Sequence, residues 1–190
     1  MDGTGKSTLV ERLTTVMGSV AVSSIWDIMN GDIRSVPFRS RRDIDHYLCE
    51  LTSGARWLFL VHAWQQSLDV AQSKGHSFIL LNGYYYKYAA TELALGLSPG
   101  WVGTVSRLFP VPDLVIDLQV PTEQAAGRKT TFSRYECGLS STPGADDFIC
   151  FQRKVKEKWN FFDRARWQAI DSRQTPDEVF VQTLSYIQNL

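Results

Sequence analysis

The sequence predicts an α/β fold, a parallel sheet with helices on both faces, and three observations carry that expectation. Short apolar runs alternate with longer stretches of helical period, the order that generates crossover connections between parallel strands. One run, Phe78-Ile79-Leu80-Leu81, has the uninterrupted apolar character of a strand buried on both faces. A glycine-rich stretch, Asp2-Gly3-Thr4-Gly5-Lys6-Ser7-Thr8, opens directly into a helical segment.

The elements follow in order. Residues 6–17 predict a helix with Leu9, Leu13 and Val16 on one side, and 19–25 a short strand. Residues 30–42 are polar and broken by Gly31 and Pro37; they read as a loop carrying Arg34, Arg39, Arg41 and Arg42. Residues 43–73 read as one long helix rich in aromatics (Tyr47, Trp57, Phe59, Trp64), stopped by Gly75. A strand over 77–81 precedes two helices, 84–95 and 101–108, separated by Ser98-Pro99-Gly100. A buried strand over 114–120 leads to Pro121, a residue favoured at the first helical position, and a helix to about 129. Residues 132–146 are polar with Gly138, Pro143 and Gly144, and predict a mobile loop. A charged helix over 147–164, a last strand over 167–170 and a helix capped by Thr175-Pro176-Asp177 complete the chain. Length and a 44% hydrophobic content suit one domain over residues 1–190. Ligands of such sheets bind at the carboxyl ends of the strands.

Twenty basic and twenty acidic residues cancel, which argues against a dedicated nucleic-acid binder. Cys49, Cys137 and Cys150 have no metal-ligand spacing and read as reduced thiols of a cytoplasmic protein. No run approaches the roughly 18 apolar residues of a membrane span, and the first residues lack the pattern of a signal peptide.

The glycine-rich stretch matches the end of the P-loop pattern, Gly, four residues, Gly-Lys-Ser/Thr, with Gly5-Lys6-Ser7 at its right-hand edge. Gly3 and Gly5 let backbone N–H groups turn inward around phosphate oxygens. Lys6 adds a charge at the β and γ phosphates, Ser7 offers a hydroxyl to Mg²⁺, and the helix N-terminus contributes its positive end. The implied ligands are ATP and magnesium, held by Gly3, Thr4, Gly5, Lys6, Ser7 and Thr8. The plain alternative is a glycine-rich turn ahead of a helix. Counting back from Gly5, the first glycine of the pattern falls one place before Met1, and the buried strand that should lead into the loop, the first and central one of the sheet, is absent. The expectation is that Met1 is an internal methionine or that the chain is truncated. DNA upstream should then encode, in frame, a short apolar strand ending in glycine.

With this loop, the chain resembles the thymidylate kinase family of nucleoside-monophosphate kinases over nearly its whole length. Leu58-Phe59-Leu60-Val61-His62-Ala63 is similar to that family's leucine-phenylalanine-x-x-Asp-Arg helix, and Ile79-Leu80-Leu81-Asn82-Gly83-Tyr84 to its strand ending in Asp-Arg-Tyr. Pro112-Asp113-Leu114-Val115-Ile116-Asp117-Leu118, then Val120-Pro121, Ala125, Arg128 and Lys129, resembles its fourth strand and helix. Arg134-Tyr135-Glu136 with Phe151, Val155, Lys156 and Trp159 resembles its lid, about 132–147, and the following helix; Ile170-Asp171 and Asp177-Glu178-Val179 resemble its last strand and helix.

The resemblance implies transfer of the ATP γ-phosphate to a nucleoside monophosphate, dTMP first, giving dTDP. Such chemistry asks for positioning and charge neutralisation more than covalent catalysis. Asp2 would lie near the transferring phosphoryl group or its magnesium, Lys6 would hold the phosphates, and Arg128 and Arg134 would cover the developing charge. Phe59 would stack on the acceptor base, with core packing as its alternative; each lid arginine has a solvated surface charge as its alternative. The family's members are commonly homodimers through their long helices, and Trp57, Trp64 and Leu68 are candidates for such a face or for the core.

The pattern departs from the family at the acceptor side. Ala63 stands where the family has arginine, His62 where it has Asp, and Asn82-Gly83 where it has Asp-Arg. Alanine and glycine cannot replace bidentate arginine as phosphate ligands. Other cations are candidates to take over: Lys87, one helical turn beyond Gly83 among Tyr84, Tyr85, Tyr86 and Tyr88; Arg56; and the arginines of 34–42. Lys87 with tyrosine hydroxyls, Tyr84 among them, would hold a phosphate; a surface lysine and a tyrosine-filled helix–sheet interface are the alternatives. A different phosphorylated acceptor, or ATP binding without turnover, also fits. His62 reads as a packed helix histidine before it reads as a base.

Overall fold

The computed structural model describes residues 2–29 and 38–190. In chain order the elements are α1 (Lys6–Val16), β1 (Val20–Ser23), a 3-10 turn (Ile25–Met29), α2 (Arg41–Glu50), α3 (Ser53–Ser73), β2 (Phe78–Leu81), α4 (Tyr85–Ala94) and α5 (Pro99–Ser106). Then come β3 (Val115–Gln119), α6 (Thr122–Gly127), a 3-10 turn (Tyr135–Cys137), α7 (Ala145–Lys158), a 3-10 turn (Trp159–Phe161), β4 (Trp167–Asp171) and α8 (Pro176–Ile187). The architecture is mixed α/β. Arg34 and most of the expected arginine loop lie outside the described residues; Arg39 and Arg41 sit at and in the start of α2.

Every strand pairing is parallel, as the alternation of elements requires. The strands nevertheless form two separate two-stranded sheets among the described residues, not one. β1 pairs with β2 from Val20 opposite Phe78 to Ser23 opposite Leu81. β3 pairs with β4 from Val115 opposite Trp167 to Gln119 opposite Asp171. The expectation that β2 is buried on both faces fails: Phe78 is 44% exposed, and Ile79, Leu80 and Leu81 are half-buried. The reason is that β2 has a strand neighbour on one edge alone.

The expected single helix over 43–73 is two helices. α2 starts with a capping box, Ser40 Oγ accepting from the Asp43 N–H while the Asp43 carboxylate accepts from the Ser40 N–H. Leu51 and Thr52 are extended (ψ 145° and 155°) and separate it from α3. Arg56, the fourth residue of α3, donates to the carbonyls of Leu48 (3.3 Å) and Leu51 (2.9 Å). Those are carbonyls of the end of α2 that no further helix would satisfy. A buried arginine thus closes the break.

The largest core cluster lies around α3 and α4. It contains Trp57, Leu60, Ala63 and Trp64 with Tyr84, Tyr85, Tyr86, Tyr88 and Phe109. The tyrosines are buried in this interior, Tyr88 also reaching the wall of a cavity; Tyr84 Oη donates to the Pro110 carbonyl at 3.0 Å. Trp57, Trp64 and Leu68 are buried in this chain, so they form core and not an exposed dimer face. A second cluster joins Leu9 and Leu13 of α1 to Leu118, Ile170 and Val179. Val16, expected on the same side, is 60% exposed. Pro121 is the N-cap of α6 rather than its first residue, and α6 ends at Gly127. α8 is closed by the expected cap, with Thr175 and Glu178 exchanging side-chain-to-backbone bonds. The segment expected as a mobile loop over 132–146 carries the buried turn Tyr135–Cys137, with Leu139 N–H bonded to the Arg134 carbonyl at 2.7 Å.

Candidate active site

The loop 2–5 reaches α1 through two left-handed glycines, Gly3 (φ 71°) and Gly5 (φ 89°), the second being the N-cap. Gly3 has a further constraint: a Cβ there would lie 2.5 Å from the Ala125 carbonyl oxygen of α6. Any other residue would push the loop off α6, so the sequence must place glycine where the two backbones touch. No side chain caps α1, which leaves the N–H groups of its first turn pointing at whatever lies in front of it.

What lies in front is a cavity of about 1000 Å³. Asp2, Gly3, Thr4, Gly5, Lys6, Ser7 and Thr8 form one wall, and Asn82, Gly83, Lys87 and Tyr88 another. Lys129, Phe132, Ser133, Arg134 and Glu136 come from beyond α6, and Trp26, Arg41, Arg42 and Asp45 from around the start of α2. Lys6, Arg41, Arg42, Lys87, Lys129 and Arg134 face Asp2, Asp45 and Glu136 across it, an excess of positive charge suited to a polyphosphate.

The charges are coupled. Lys87 Nζ donates to Asp2 at 2.7 Å, and Lys129 Nζ lies 3.0 Å from Glu136. Lys6 Nζ donates to the buried Thr4 hydroxyl at 3.3 Å. Burial disfavours the Asp2 carboxylate, yet the charges of Lys87 and Lys6 outweigh it and hold Asp2 well below the ordinary carboxylate range. Burial likewise disfavours the Lys87 ammonium, and Asp2 overcomes it, raising Lys87. Lys6 goes the other way. Burial, aided by the nearby charges of Lys87 and Lys129, outweighs Asp2 and lowers it to about 8. Glu136 is raised by burial and by the Asp2 charge, against the bonds from the Ser133 N–H and Lys129.

The residues expected at the site divide. Asp2, Gly3, Thr4, Gly5, Lys6, Ser7, Thr8, Lys87 and Arg134 are brought together in the cavity. Arg128 is not: it ends α6 on the outside, and its Nη2 donates to the Ser172 carbonyl at 2.8 Å. Arg56 is buried between α3 and α4, bonded to Glu92 Oε1 at 2.8 Å. Phe59 packs edge-on against Phe38 (5.7 Å between ring centroids) and Tyr47 (5.2 Å). Tyr84 belongs to the core. Ala63 is buried and His62 exposed, so neither position opens into the cavity. Gly83 does open there: a Cβ on it would sit 3.6 Å from Lys87 Cδ and 3.9 Å from Lys6 Cε.

Lys129, Glu136, Asp45 and Trp26 are cavity residues to which the sequence assigned no role, and of the tyrosines around Lys87 it is Tyr88 that lines this cavity. Lys129 carried a signal, since α6 stops at Gly127 and the next two residues are both basic. Which of them turns inward is decided by the chain leaving the helix. Among the described residues no group of three or more His, Cys, Asp or Glu side chains converges as a metal site. No helix among them is long and apolar enough to cross a membrane.

Comparison with known proteins bears on this arrangement. The chain is 25% identical, over 197 aligned positions, to a protein of Saccharolobus solfataricus (strain P2) described as probable thymidylate kinase 1. The match spans 99% of this chain and 93% of that protein. No family model matches. The cavity and the mixed α/β fold are compatible with a kinase, and the chain is distantly similar, end to end, to a nucleotide kinase.

Proposed function

We propose that this chain is a nucleoside-monophosphate kinase that moves the ATP γ-phosphate to dTMP or a related nucleotide. The observation that carries the reading is the convergence, on one cavity of about 1000 Å³, of the glycine-rich loop with Lys6, Lys87, Lys129 and Arg134. The full-length likeness to a probable thymidylate kinase supports it.

In this reading the loop amides and the N-terminus of α1 cradle the β and γ phosphates as a P-loop does. Lys6 holds the phosphates and withdraws charge as the bond to the leaving oxygen lengthens. Arg134 and Lys129, entering from the lid side, surround the equatorial oxygens of the moving group. Lys87 takes the acceptor phosphate, standing beside Gly83 in the space a larger side chain would fill. Asp2, held ionised, keeps Lys87 charged and aimed until the acceptor displaces it. Magnesium keeps several waters and takes few protein ligands, so Ser7 and Asp2 with the phosphate oxygens form a fitting donor set. Its contribution when bound is to neutralise charge between the β and γ phosphates.

A second reading is ATP binding without acceptor turnover, and the loss of both acceptor-side arginines, at Ala63 and Gly83, favours it. The test is ADP formation from Mg·ATP across a panel of nucleoside monophosphates. ADP formed with dTMP alone establishes the first reading. ADP formed with a different member changes the acceptor. ATP affinity without acceptor-dependent ADP establishes the second.

A further inference from the structure

Glu92 of α4 is buried, its side chain 0% exposed, and one of its oxygens serves two donors. Oε1 accepts from Arg56 Nε at 2.8 Å and from Tyr135 Oη at 2.9 Å. The other oxygen, Oε2, is buried with no hydrogen-bond partner among the described residues. Arg56 in turn donates to the carbonyls of Leu48 and Leu51 at the end of α2. One carboxylate therefore ties together α2, α3, α4 and the turn Tyr135–Cys137. Stability alone does not account for it. Well-packed apolar residues of similar volume are often as stabilising as a buried ion pair, and an oxygen buried without a partner adds a cost. What apolar packing does not supply is direction: bonds from two donors to one oxygen fix where both donors stand.

The arms of this network end just behind the candidate active site. Glu92 lies one helical turn beyond Tyr88, and Leu48 one turn beyond Asp45. Tyr135 stands between Arg134 and Glu136. Tyr88, Asp45, Arg134 and Glu136 all line the cavity, whereas Arg56, Glu92 and Tyr135 stay behind its walls. The turn passes its position on. The Glu136 carboxylate accepts from the Ser133 N–H at 2.7 Å and holds Lys129 at 3.0 Å, and its carbonyl accepts from Gln152 of α7 at 2.9 Å. Arg134 reaches Glu50, at the end of α2, at 3.5 Å. Arg134 and Lys129, the cations placed around the moving group in the phosphate-transfer reading, thus stand on this turn or are held by it, and Tyr135 Oη ties it to α4.

We infer that Glu92 is a positioning residue for phosphate transfer: through Tyr135 and Arg56 it fixes the turn that carries Arg134 and Glu136 against the cavity walls from α2 and α4. The inference rests on the phosphate-transfer reading and names the part of the fold that aims its cations. A displacement of about 1 Å in a group acting on the reacting atoms costs up to about 10²-fold in rate, and stabilising charge must be in place before the bond breaks. The loop from Asp2 to Thr8, which holds ATP in that reading, is packed elsewhere, with Gly3 against the Ala125 carbonyl. Loss of the network therefore acts on kcat and leaves ATP affinity alone.

The experiment uses two variants that each lose one buried hydroxyl bond. Tyr135→Phe removes the bond to Glu92 and keeps the ring in the core. Thr183→Val, the control, removes the bond to the Val179 carbonyl (2.8 Å) in α8. ADP formation from Mg·ATP is read with the nucleoside monophosphate that supports it, and the Kd for Mg·ATP by calorimetry. Tyr135→Phe should lower kcat at least tenfold with the Kd within twofold, and Thr183→Val should leave both within twofold. In an Arg134→Ala background the further loss of kcat from Tyr135→Phe should shrink to threefold or less, because the group being aimed is gone. Should Tyr135→Phe fail to fold, Glu92→Gln stands in for it, its neutral amide oxygen accepting more weakly from both donors; a fall in kcat of at least threefold at unchanged Kd is then expected. Unchanged kcat, equal falls for the network variant and Thr183→Val, or an undiminished fall in the Arg134→Ala background makes the network purely structural and overturns the inference, with the kinase reading still standing. A wild-type chain that forms no ADP with any acceptor overturns the reading itself, and this role with it.

Discussion

The two sides of the candidate cavity differ in how their expected residues are placed. On the loop side, every residue expected from Asp2 to Thr8 lines the cavity. Of the residues expected on the acceptor side, Lys87 and the candidate cations Arg41 and Arg42 do so, while Arg56, Phe59 and Tyr84 pack elsewhere. The difference lies in which groups each side presents. The loop offers backbone N–H groups whose direction is set by Gly3 and Gly5 and by the start of a helix, all local properties. The proposed acceptor side depends instead on long side chains of α3 and α4, and a helix turns neighbouring residues to different faces. One residue along α3 separates buried Arg56 from exposed Ala55.

The largest effect that would sharpen this comparison is at Arg56. Its guanidinium and Glu92 are almost wholly buried (3% and 0% exposed side chains), and Tyr135 of the buried turn donates to the same Glu92 oxygen at 2.9 Å. Removing one partner of a buried pair typically costs about 3–5 kcal/mol. Arg56→Ala should lower the denaturant midpoint accordingly and leave the ATP affinity of the folded fraction unchanged. A variant of full stability with weakened nucleotide binding would return Arg56 to the site.

Lys6→Met comes next. Losing a preorganised charge on the moving group should lower turnover about 10²–10³-fold, read in a coupled ADP assay with circular dichroism unchanged. The native lysine has its own signature. Lowered to about 8, it is charged below that pH and loses its charge above it. The Kd for Mg·ATP should stay flat up to about pH 8 and then rise, approaching tenfold per unit, while Lys6→Arg stays flat. The sign for stability is opposite. An unfolded Lys6 titrates near 10.5, so between pH 8 and 10.5 the unfolded chain holds more protons and this group favours folding as pH rises. A Kd for the native protein that is constant to pH 9.5 would place Lys6 away from the phosphates.

Lys87→Ala tests the acceptor side. Loss of a charged hydrogen bond worth about 1.5–3 kcal/mol should raise the acceptor KM roughly 10–100-fold and leave the KM for ATP within twofold. Equal weakening for both would make Lys87 part of the ATP site. The smallest effect is expected at Arg128, which bonds to the Ser172 carbonyl outside the cavity. Arg128→Ala should change stability by about 0.5 kcal/mol or less and turnover by less than twofold. The corresponding change at Lys129 should be clearly larger, and the reverse order would break the assignment of the inner cation.

The same division runs through the fold. The cap of α8 was legible because Thr175 and Glu178 carry it within four residues. The strands were legible as apolar runs, and their parallel order followed from the helices between them. The break between α2 and α3 was not legible. Leu51 and Thr52 have no strong breaking tendency, and what satisfies the carbonyls there is Arg56, itself held by Glu92 from 36 residues away. The buried turn at Tyr135–Cys137 was read as loop because its composition is polar. Its order comes from Glu92 and Gln152, contacts that sequence distance hides.

By itself, the sequence determined the order of strands and helices, the left-handed glycines of the loop and the presence of an amide-lined turn ahead of α1. Each depends on residues within about a helical turn of one another, where backbone sterics and local hydrogen bonds decide. Tertiary structure alone decided which cations enter the cavity, that Arg56 and the tyrosines become interior, and that the strands pair as two sheets among the described residues. Those outcomes depend on how surfaces far apart in the chain meet, and a charged side chain goes wherever folding leaves it a partner.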